Sequence, residues 1–297
     1  MKALLHKIFY SLPVSWRIRL KKKVAILYDQ AGYGDTLLVG AVAREIKKKY
    51  GRVRVTVNRV KEELLQNNPY VDETGQHYNG IDLNYHYGKE YVGEHFHKNI
   101  LEVMCRKVGV RNPAHTVDIF LTDEERNFAT EKMNSLNRPR VTIHIMPGGF
   151  DNGRKLWPLK YWRNLAAMLR KRKYTLIQLG NANEQYIEGT INMLGTQDIR
   201  RSIALMEKAE LHIGVVSSLM HAAAAVKTPA IIIFGGFERF SIHGYDNIVP
   251  LESSIPCSPC IRANTNIGKC PLNTQCMREI TPRMVCKKAE WILKKQT

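Results

Sequence analysis

Two stretches of the chain combine residue types and spacings that could do chemistry. The first reads VAILYDQAGYGDTLL from Val24 to Leu38 and places Asp35 directly after Gly32 and Gly34. A short carboxylate here can cap the free N–H groups of a helix, and the glycines allow positive φ and close approach of a ligand to the backbone. The third glycine of a dinucleotide-binding fingerprint would fall at Leu37, so the pattern disfavours a nicotinamide site.

The second stretch is a run of cysteines near the C-terminus. Cys257, Cys260, Cys270 and Cys276 follow the pattern C-x2-C-x9-C-x5-C. A Cys-x2-Cys pair followed by two more thiols is typical of a structural metal site. The longer spacings lie outside the usual ligand windows and favour free, partly buried thiols instead. Both interpretations stay open on the residues alone.

Charge and composition limit the classes of partner. The 297 residues carry a net charge of +18, which suits nucleic acid, an anionic membrane surface or phosphorylated substrates. Apolar runs stay well short of the roughly 20 residues that a transmembrane helix needs. Residues 1–23 interleave basic with apolar and aromatic side chains, which is typical of a basic amphipathic segment on anionic lipid, or else of a solvated tail. This segment lacks the cleavage site of a secretory signal, so we expect reduced cysteines rather than disulfides.

Strand and helix patterns alternate along the chain in two blocks, joined by the candidate linker from Asn134 to Pro139. Such alternation is typical of parallel sheets wound on both faces. We therefore predict an α/β protein with two doubly wound, Rossmann-like domains, 1–137 and 138–297, that face each other across a cleft. Ligands should bind at the carboxyl ends of both sheets. The C-terminal helix at 284–294 could return to the first domain.

Five short motifs occur in the order in which one known family carries them. They are Gly32-Tyr33-Gly34-Asp35, Asn67-Asn68-Pro69-Tyr70-Val71-Asp72, Pro147-Gly148-Gly149 with Lys155-Leu156-Trp157-Pro158, Gly180-Asn181-Ala182-Asn183-Glu184 and Ser217-Ser218-Leu219-Met220-His221. On these motifs the chain resembles glycosyltransferase family 9, the bacterial heptosyltransferases that build lipopolysaccharide core. The resemblance covers nearly the whole chain and implies the two-domain GT-B fold.

The resemblance implies a catalytic role for one residue of the first domain. Asp35 would be the general base that takes the proton from an acceptor hydroxyl as this oxygen attacks the donor's anomeric carbon with inversion. Gly32 and Gly34 would form the acceptor-side loop. The alternative from the residues is that Asp35 only caps its helix.

In the second domain the resemblance implies a set of residues that bind a nucleoside-diphosphate sugar. The set comprises Gly148, Gly149, Lys155, Glu184, Ser217, Ser218 and His221. Lys155 would offset the diphosphate charge, and Glu184 would accept a hydrogen bond from a ribose hydroxyl. Hydroxyl and N–H groups at the helix start would bind the diphosphate without a metal.

Each of these roles has a structural alternative. Lys155 could be a solvated lysine, and the adjacent Arg154 could serve as well. Glu184 could be an acid stabilised by a helix dipole, and His221 could be a satisfied core histidine.

One residue departs from the family's motif. Val216 stands where the family usually carries an Asp that helps to hold the donor. The substitution disfavours ADP-heptose as the donor but is consistent with another nucleotide sugar. Because no Asp-x-Asp occurs in the chain, we expect catalysis to need no metal.

The sequence therefore predicts an inverting, metal-independent glycosyltransferase that moves a heptose or related sugar to a lipopolysaccharide-core or other anionic glycan acceptor. We expect it in the cytoplasm, on the inner face of the inner membrane. One alternative that the resemblance implies is a protein-modifying, autotransporter-type transferase of the same fold with a structural zinc or iron at 257–276. A nucleic-acid-binding protein is disfavoured, since the basic residues are dispersed and no recognised binding motif occurs.

Overall fold

The computed structural model describes residues 11–28, 32–75, 80–84, 98–146, 153–260 and 270–296. Within these ranges the chain forms two compact units, one from 11–84 with 98–120 and the other from 121–296. Each is built on a parallel sheet with helices in the connections, as the alternation of patterns predicts.

The first unit holds a sheet of four strands in the order β3-β2-β1-β4. The strands are β1 (Lys23–Leu27), β2 (Arg54–Asn58), β3 (Glu73–Gly75) and β4 (Ile81–Asp82). The helices are α1 (Val14–Lys21), α2 (Tyr33–Tyr50) and α3 (Ile100–Lys107), with a 3-10 turn at Glu62–Leu65. Helix α2 ends at Gly51, whose φ of +70° suits glycine.

The second unit holds a sheet of six parallel strands in the order β10-β9-β8-β5-β6-β7. The strands are β5 (Arg140–His144), β6 (Thr175–Gly180), β7 (Ile191–Leu194), β8 (Leu211–Val215), β9 (Ala230–Gly235) and β10 (Ile248–Glu252). The central strands β8 and β9 are buried along their whole length, because helices cover both faces of such a sheet.

Six helical segments accompany the second sheet in the described part of the chain. They are α4 (Asp123–Asn134), α5 (Leu159–Lys171), α6 (Ile199–Glu207), α7 (Ser218–Ala225), α8 (Gln275–Glu279) and α9 (Pro282–Lys294). A 3-10 turn at Phe240–Ile242 precedes β10.

Helix α4 packs on the second unit, although the sequence boundary at 137/138 assigns it to the first. Its Glu125 pairs with Arg200 at 2.5 Å, and Arg126 pairs with Glu207 at 3.2 Å. The capping box that predicted the start of α4 is present, with Thr122 and Glu125 exchanging hydrogen bonds. The domain boundary predicted from the linker pattern therefore differs from the boundary between the two packed units.

The C-terminal helix α9 stays with the second unit. Val285, Ala289 and Leu293 are buried in the same core as Val141 of β5 and Leu165 of α5. The apolar stripe of α9 therefore covers its own domain's sheet, and the predicted return to the first domain is wrong for this helix. In the ranges that the structure describes, no helix combines the length and apolar character that membrane crossing requires.

Candidate functional site

Asp35 lies at the switch point of the first sheet. The chain runs from β1 outward through β2 to β3, and then returns to place β4 on the other side of β1. Ligands of doubly wound sheets bind where the strand order reverses, at the carboxyl ends of the strands. Asp35 follows β1 in the first turn of α2, so the topology puts its carboxylate at the expected edge.

The Asp35 carboxylate caps its own helix and also contacts a tyrosine. Its Oδ2 accepts from the Gly32 N–H at 3.0 Å, and its Oδ1 accepts from the Tyr28 hydroxyl at 2.9 Å. The side chain remains half-buried. A carboxylate has about four lone-pair sites, so these two bonds do not exclude an acceptor hydroxyl as a further donor. The helix cap and the general base are compatible roles for this residue.

The two glycines of the acceptor-side loop do not use a left-handed conformation. Gly32 has a φ of −72°, and Gly34 lies within α2. A Cβ at Gly32 would lie 3.3 Å from the Asp35 Oδ2, which is a tight contact. The positive φ that these glycines allow is not used, and the first glycine instead lets the carboxylate approach the backbone.

A polar residue that the motifs do not include lies at the same edge. Asn58 ends β2, pairs in register with Leu27 and is fully buried. Neither atom of its side-chain amide has a hydrogen-bond partner in the structure, counting the described residues. Exposed Arg59 and Lys61 follow it directly. Buried amides are usually satisfied, so Asn58 is a candidate contact for an acceptor hydroxyl.

In the second unit, His144 links two of the predicted donor residues. It ends β5, which lies between β8 and β6 at the switch point of this sheet. His144 Nδ1 lies 3.2 Å from the Ser217 Oγ, and its Nε2 lies 3.4 Å from the Glu184 Oε1. Three side chains from three strand ends therefore meet, and no motif marks the histidine.

Glu184 is buried with one carboxylate oxygen unsatisfied. Its Oε1 accepts from the Asn181 N–H at 2.9 Å, which closes the turn after β6. Within the described part of the chain, no hydrogen-bond donor reaches Oε2. A Cβ at Gly180 would lie 2.5 Å from Oε2, so a larger residue there would displace this carboxylate. A buried, unsatisfied acceptor is suited to a ligand hydroxyl.

Ser217 and Ser218 begin helix α7 as predicted. Ser217 is the N-cap residue in an extended conformation, and no side-chain cap bond forms. Both serines are half-buried. The start of a helix presents N–H groups and a positive dipole end, which suit an anionic ligand.

Lys155 is not a solvated lysine. It is 9% exposed, and its Nζ lies 2.7 Å from the Oε1 of Glu238, which is 1% exposed. Its Nζ also lies 4.7 Å from the ring centre of Phe237. Burial by itself raises the pKa of Glu238, but Lys155 and His243 outweigh burial and leave the pKa well below its usual value. Glu238 follows β9, and the motifs do not include it.

His221 has the contacts of a satisfied core histidine. Its Nδ1 lies 2.7 Å from the Tyr245 hydroxyl, and its ring stacks edge-to-face on His243 at 5.1 Å. Burial, with help from His243, lowers the pKa of His221 well below the usual value, so the ring is neutral at pH 7. His243 Nε2 in turn lies 3.3 Å from Glu238. His221 is thus connected to the Lys155–Glu238 pair through His243. The remaining donor candidates, Gly148 and Gly149, lie outside the described residues.

The four cysteines of the C-terminal segment are free thiols. Cys260 and Cys276 are buried, Cys270 is half-buried and Cys257 is exposed. Burial raises the pKa of Cys260 and Cys276, and the neighbouring thiols raise both further. Among the described residues, no three Cys, His, Asp or Glu side chains are grouped so that they could hold a metal ion. The burial of the thiols fits the interpretation as free, partly buried cysteines. A structural zinc or iron stays a prediction.

Comparison with known proteins relates the chain to one family. Residues 70–270 match glycosyltransferase family 9 (heptosyltransferase). The chain is 27% identical over 118 residues to lipooligosaccharide heptosyltransferase 2 of Haemophilus influenzae, covering 35% of this chain and 34% of the relative. It is 31% identical over 118 residues to lipopolysaccharide heptosyltransferase 1 of Pseudomonas aeruginosa, covering 36% of this chain and 33% of the relative. Each alignment thus spans about a third of the curated relative.

Similarity of structure extends over almost the whole chain. The structure of Escherichia coli ADP-heptose lipopolysaccharide heptosyltransferase II superposes with a TM-score of 0.67 at 16% identity, covering 92% of this chain and 99% of the other. The iron-containing dodecameric glycosyltransferase TibC from enterotoxigenic E. coli gives a TM-score of 0.72 at 18% identity, covering 92% and 76%. At these identities the likeness establishes the GT-B fold. Since the family match includes more than half of the chain, the protein belongs to glycosyltransferase family 9.

Proposed function

We propose that the chain is an inverting, metal-independent glycosyltransferase that moves a sugar from a nucleoside diphosphate to a glycan acceptor of the lipopolysaccharide-core type. The observation that supports this most directly is the unsatisfied Oε2 of Glu184 beside His144 and Ser217. A ribose offers the hydroxyl that Oε2 lacks, and the start of α7 offers N–H groups to a diphosphate. Among the similar structures, a TibC complex contains ADP-D-beta-D-heptose, which makes a nucleotide heptose a reasonable first donor to test.

The proposed reaction assigns the proton transfer to Asp35. Its carboxylate accepts the proton of the acceptor hydroxyl while this oxygen forms a bond to the anomeric carbon. The bond from that carbon to the diphosphate oxygen breaks on the opposite face, and the nucleoside diphosphate leaves with its electron pair. The Tyr28 hydroxyl and the Gly32 N–H hold the carboxylate in one orientation. Lys155 and the N–H groups of α7 offset the charge that develops on the leaving group.

The charge of the first unit supports the proposed acceptor and the proposed location. Arg59 and Lys61 are exposed after β2, close in sequence to the unsatisfied amide of Asn58, and suit a phosphorylated or acidic glycan. In helix α1, Ile18 is buried while Trp16 is 56% exposed and Leu20 is 62% exposed. Five basic residues surround this apolar pair in the sequence: Arg17, Arg19, Lys21, Lys22 and Lys23. A basic helix with exposed Trp and Leu supports the proposal that this segment lies on an anionic inner-membrane surface.

Replacement of Asp35 by Asn tests the central step. We expect nucleoside-diphosphate binding to remain within about twofold of wild type and transfer to fall by roughly 10²–10⁴-fold, the contribution typical of a general base. Isothermal titration with ADP and UDP measures binding, and release of the nucleoside diphosphate measures transfer.

Asp198→Asn is the matched control for the helix cap. Asp198 caps α6 from the N-cap position, where it accepts from the Arg201 N–H, whereas Asp35 caps α2 from the third helical position, where it accepts from the Gly32 N–H. If capping were the whole role of Asp35, both variants would keep transfer. Normal turnover by Asp35→Asn would refute the assignment of the base.

A further inference from the structure

Two neighbouring helices of the second unit carry a strongly basic surface. The segments 159–173 and 282–296, which contain α5 and α9, hold a single carboxylate, Glu290. Their basic residues are Lys160, Arg163, Arg170, Lys171, Arg172, Lys173, Arg283, Lys287, Lys288, Lys294 and Lys295. Glu290 is itself ion-paired with Arg172. We call the exposed side of α5 and α9 the basic helix face.

The two helices lie side by side and point in the same direction. Trp157, just before α5, donates from its indole N–H to the Ile280 carbonyl just before α9, at 2.7 Å. At the other end, Arg172 meets Glu290. The apolar sides of both helices enter one core, so their remaining sides face solvent together. The basic residues are exposed except for Lys288, which is half-buried.

Two large apolar side chains protrude from the middle of these charges. Met284 is 47% exposed and Trp291 is 49% exposed, and they lie seven residues apart, on the same side of α9. The ammonium groups of Lys295 and Lys288 lie 3.7 Å and 5.0 Å from the Trp291 ring centre. An indole flanked by lysines, with a methionine two turns away, is suited to the boundary between lipid headgroups and acyl chains.

We propose that the basic helix face is a docking surface for an anionic lipid bilayer. Negative headgroups complement the lysines and arginines, and the headgroup boundary buries Trp291 and Met284. Single-stranded nucleic acid fits less well, because bases need free aromatic faces for stacking and the lysines already lie against the indole. A second copy of the chain would bring like charges together. This surface lies on the other unit from α1, and the proposal stands whether or not the chain has the transferase activity proposed above.

Tryptophan fluorescence tests the proposal directly, in a Trp16→Phe background. The chain has four tryptophans, of which Trp157 and Trp162 are 2% and 1% exposed, so this variant keeps Trp291 as its exposed indole. We expect vesicles of mixed phosphatidylglycerol and phosphatidylcholine to shift the emission to shorter wavelength. Pure phosphatidylcholine vesicles, or high salt, should leave the emission unchanged. An unchanged emission with anionic vesicles would overturn the proposal.

Vesicle sedimentation in the same Trp16→Phe background measures how much the basic residues contribute to binding. Lys287→Gln with Lys288→Gln should weaken the partition coefficient by roughly thirtyfold, as each basic residue near an anionic surface contributes about a five- to sixfold effect. Lys132→Gln with Lys208→Gln removes the same charge outside α5 and α9 and should weaken binding far less. If both double variants lose the same amount of vesicle binding, the effect is a general one of net charge. This result would contradict a specific binding face. A Trp291 response to a short DNA duplex but not to vesicles, or concentration-dependent self-association that buries Trp291, would also refute it.

Discussion

Replacement of Glu238 by Gln tests whether Lys155 binds the diphosphate of the donor. The two groups are 2.7 Å apart, with side chains 11% and 1% exposed. At an effective dielectric constant of about 20, two unit charges at this distance attract by about 6 kcal/mol, and desolvation of both groups offsets part of this. Glutamine keeps the shape but removes the charge, so we expect the free energy of unfolding to fall by about 3–5 kcal/mol. Urea unfolding of the purified variant measures this loss.

The same variant should bind a nucleoside diphosphate more tightly than the wild type. In the wild type the Glu238 carboxylate competes with the ligand's phosphates for the Lys155 ammonium, and in Glu238→Gln the phosphates supply the missing negative charge. If the phosphates recover about a quarter of the attraction between Lys155 and Glu238, binding gains roughly 1.4 kcal/mol and tightens by about tenfold. Isothermal titration with ADP, checked by ligand-dependent thermal shift, measures the gain.

A double variant separates this effect from a general loosening of the site. Lys155→Met with Glu238→Gln removes both charges, so it should lose less stability than either single variant and should show no gain in ADP affinity. Glu188→Gln, at an exposed position on the loop after β6, is the neutral-substitution control. If ADP binds Glu238→Gln no better than the wild type, Lys155 does not contact the diphosphate, and the proposed donor site loses its cation.

Three further outcomes are expected. Glu184→Gln should weaken ADP binding by at least about tenfold in isothermal titration while Glu188→Gln does not, because a hydrogen bond to a charged group contributes about 1.5–3 kcal/mol. Burial, with help from His144, lowers the pKa of His212 to about 3. The unfolded chain then binds a proton below about pH 6.5 that the folded chain does not, and stability should fall by about 1.4 kcal/mol per pH unit toward acid. Urea unfolding against pH should show this slope, and His212→Gln should flatten it. If the C-terminal segment holds a metal, elemental analysis should show that Cys260→Ser and Cys276→Ser lose it and that Cys286→Ser, in the core of α9, keeps it. Absence of metal from the wild type would contradict that prediction.

The sequence predicted the central strands and most helices but not the edge strands of the second sheet. β8 and β9 are continuous apolar runs, and such runs indicate buried parallel strands. β10 contains Pro250, which argues against a strand, yet an edge strand tolerates proline because one side of it pairs with no other described strand. β7 has only four residues and only Leu194 fully buried, so its periodicity is weak.

The candidate site was only partly predictable, because its contacts join separate strand ends. The motifs identify Asp35 and Glu184 by their places after strands, and the structure puts both at sheet edges where ligands bind. His144 could not be identified because it continues a strand pattern, and its role depends on β5 lying between β6 and β8. Strand order of this kind is a long-range property that local patterns do not contain.

Val216 replaces the acidic residue of the family's motif, so the electrostatics of the proposed donor site depend on where the other charged groups lie. Val216 is a buried apolar residue at the end of β8, whereas the next strand, β9, leads to Glu238 beside Lys155. The ammonium is therefore already neutralised in the free protein, and it adds little net attraction for a diphosphate until Glu238 is displaced. In the proposed donor site, the first attraction would then come from the N–H groups at the start of α7. A buried charge that loses its partner is costly, so the displaced Glu238 carboxylate would need new hydrogen-bond donors. Hydroxyls of the donor sugar could supply them. Sugars with a hydroxyl in the right position would then bind better than others.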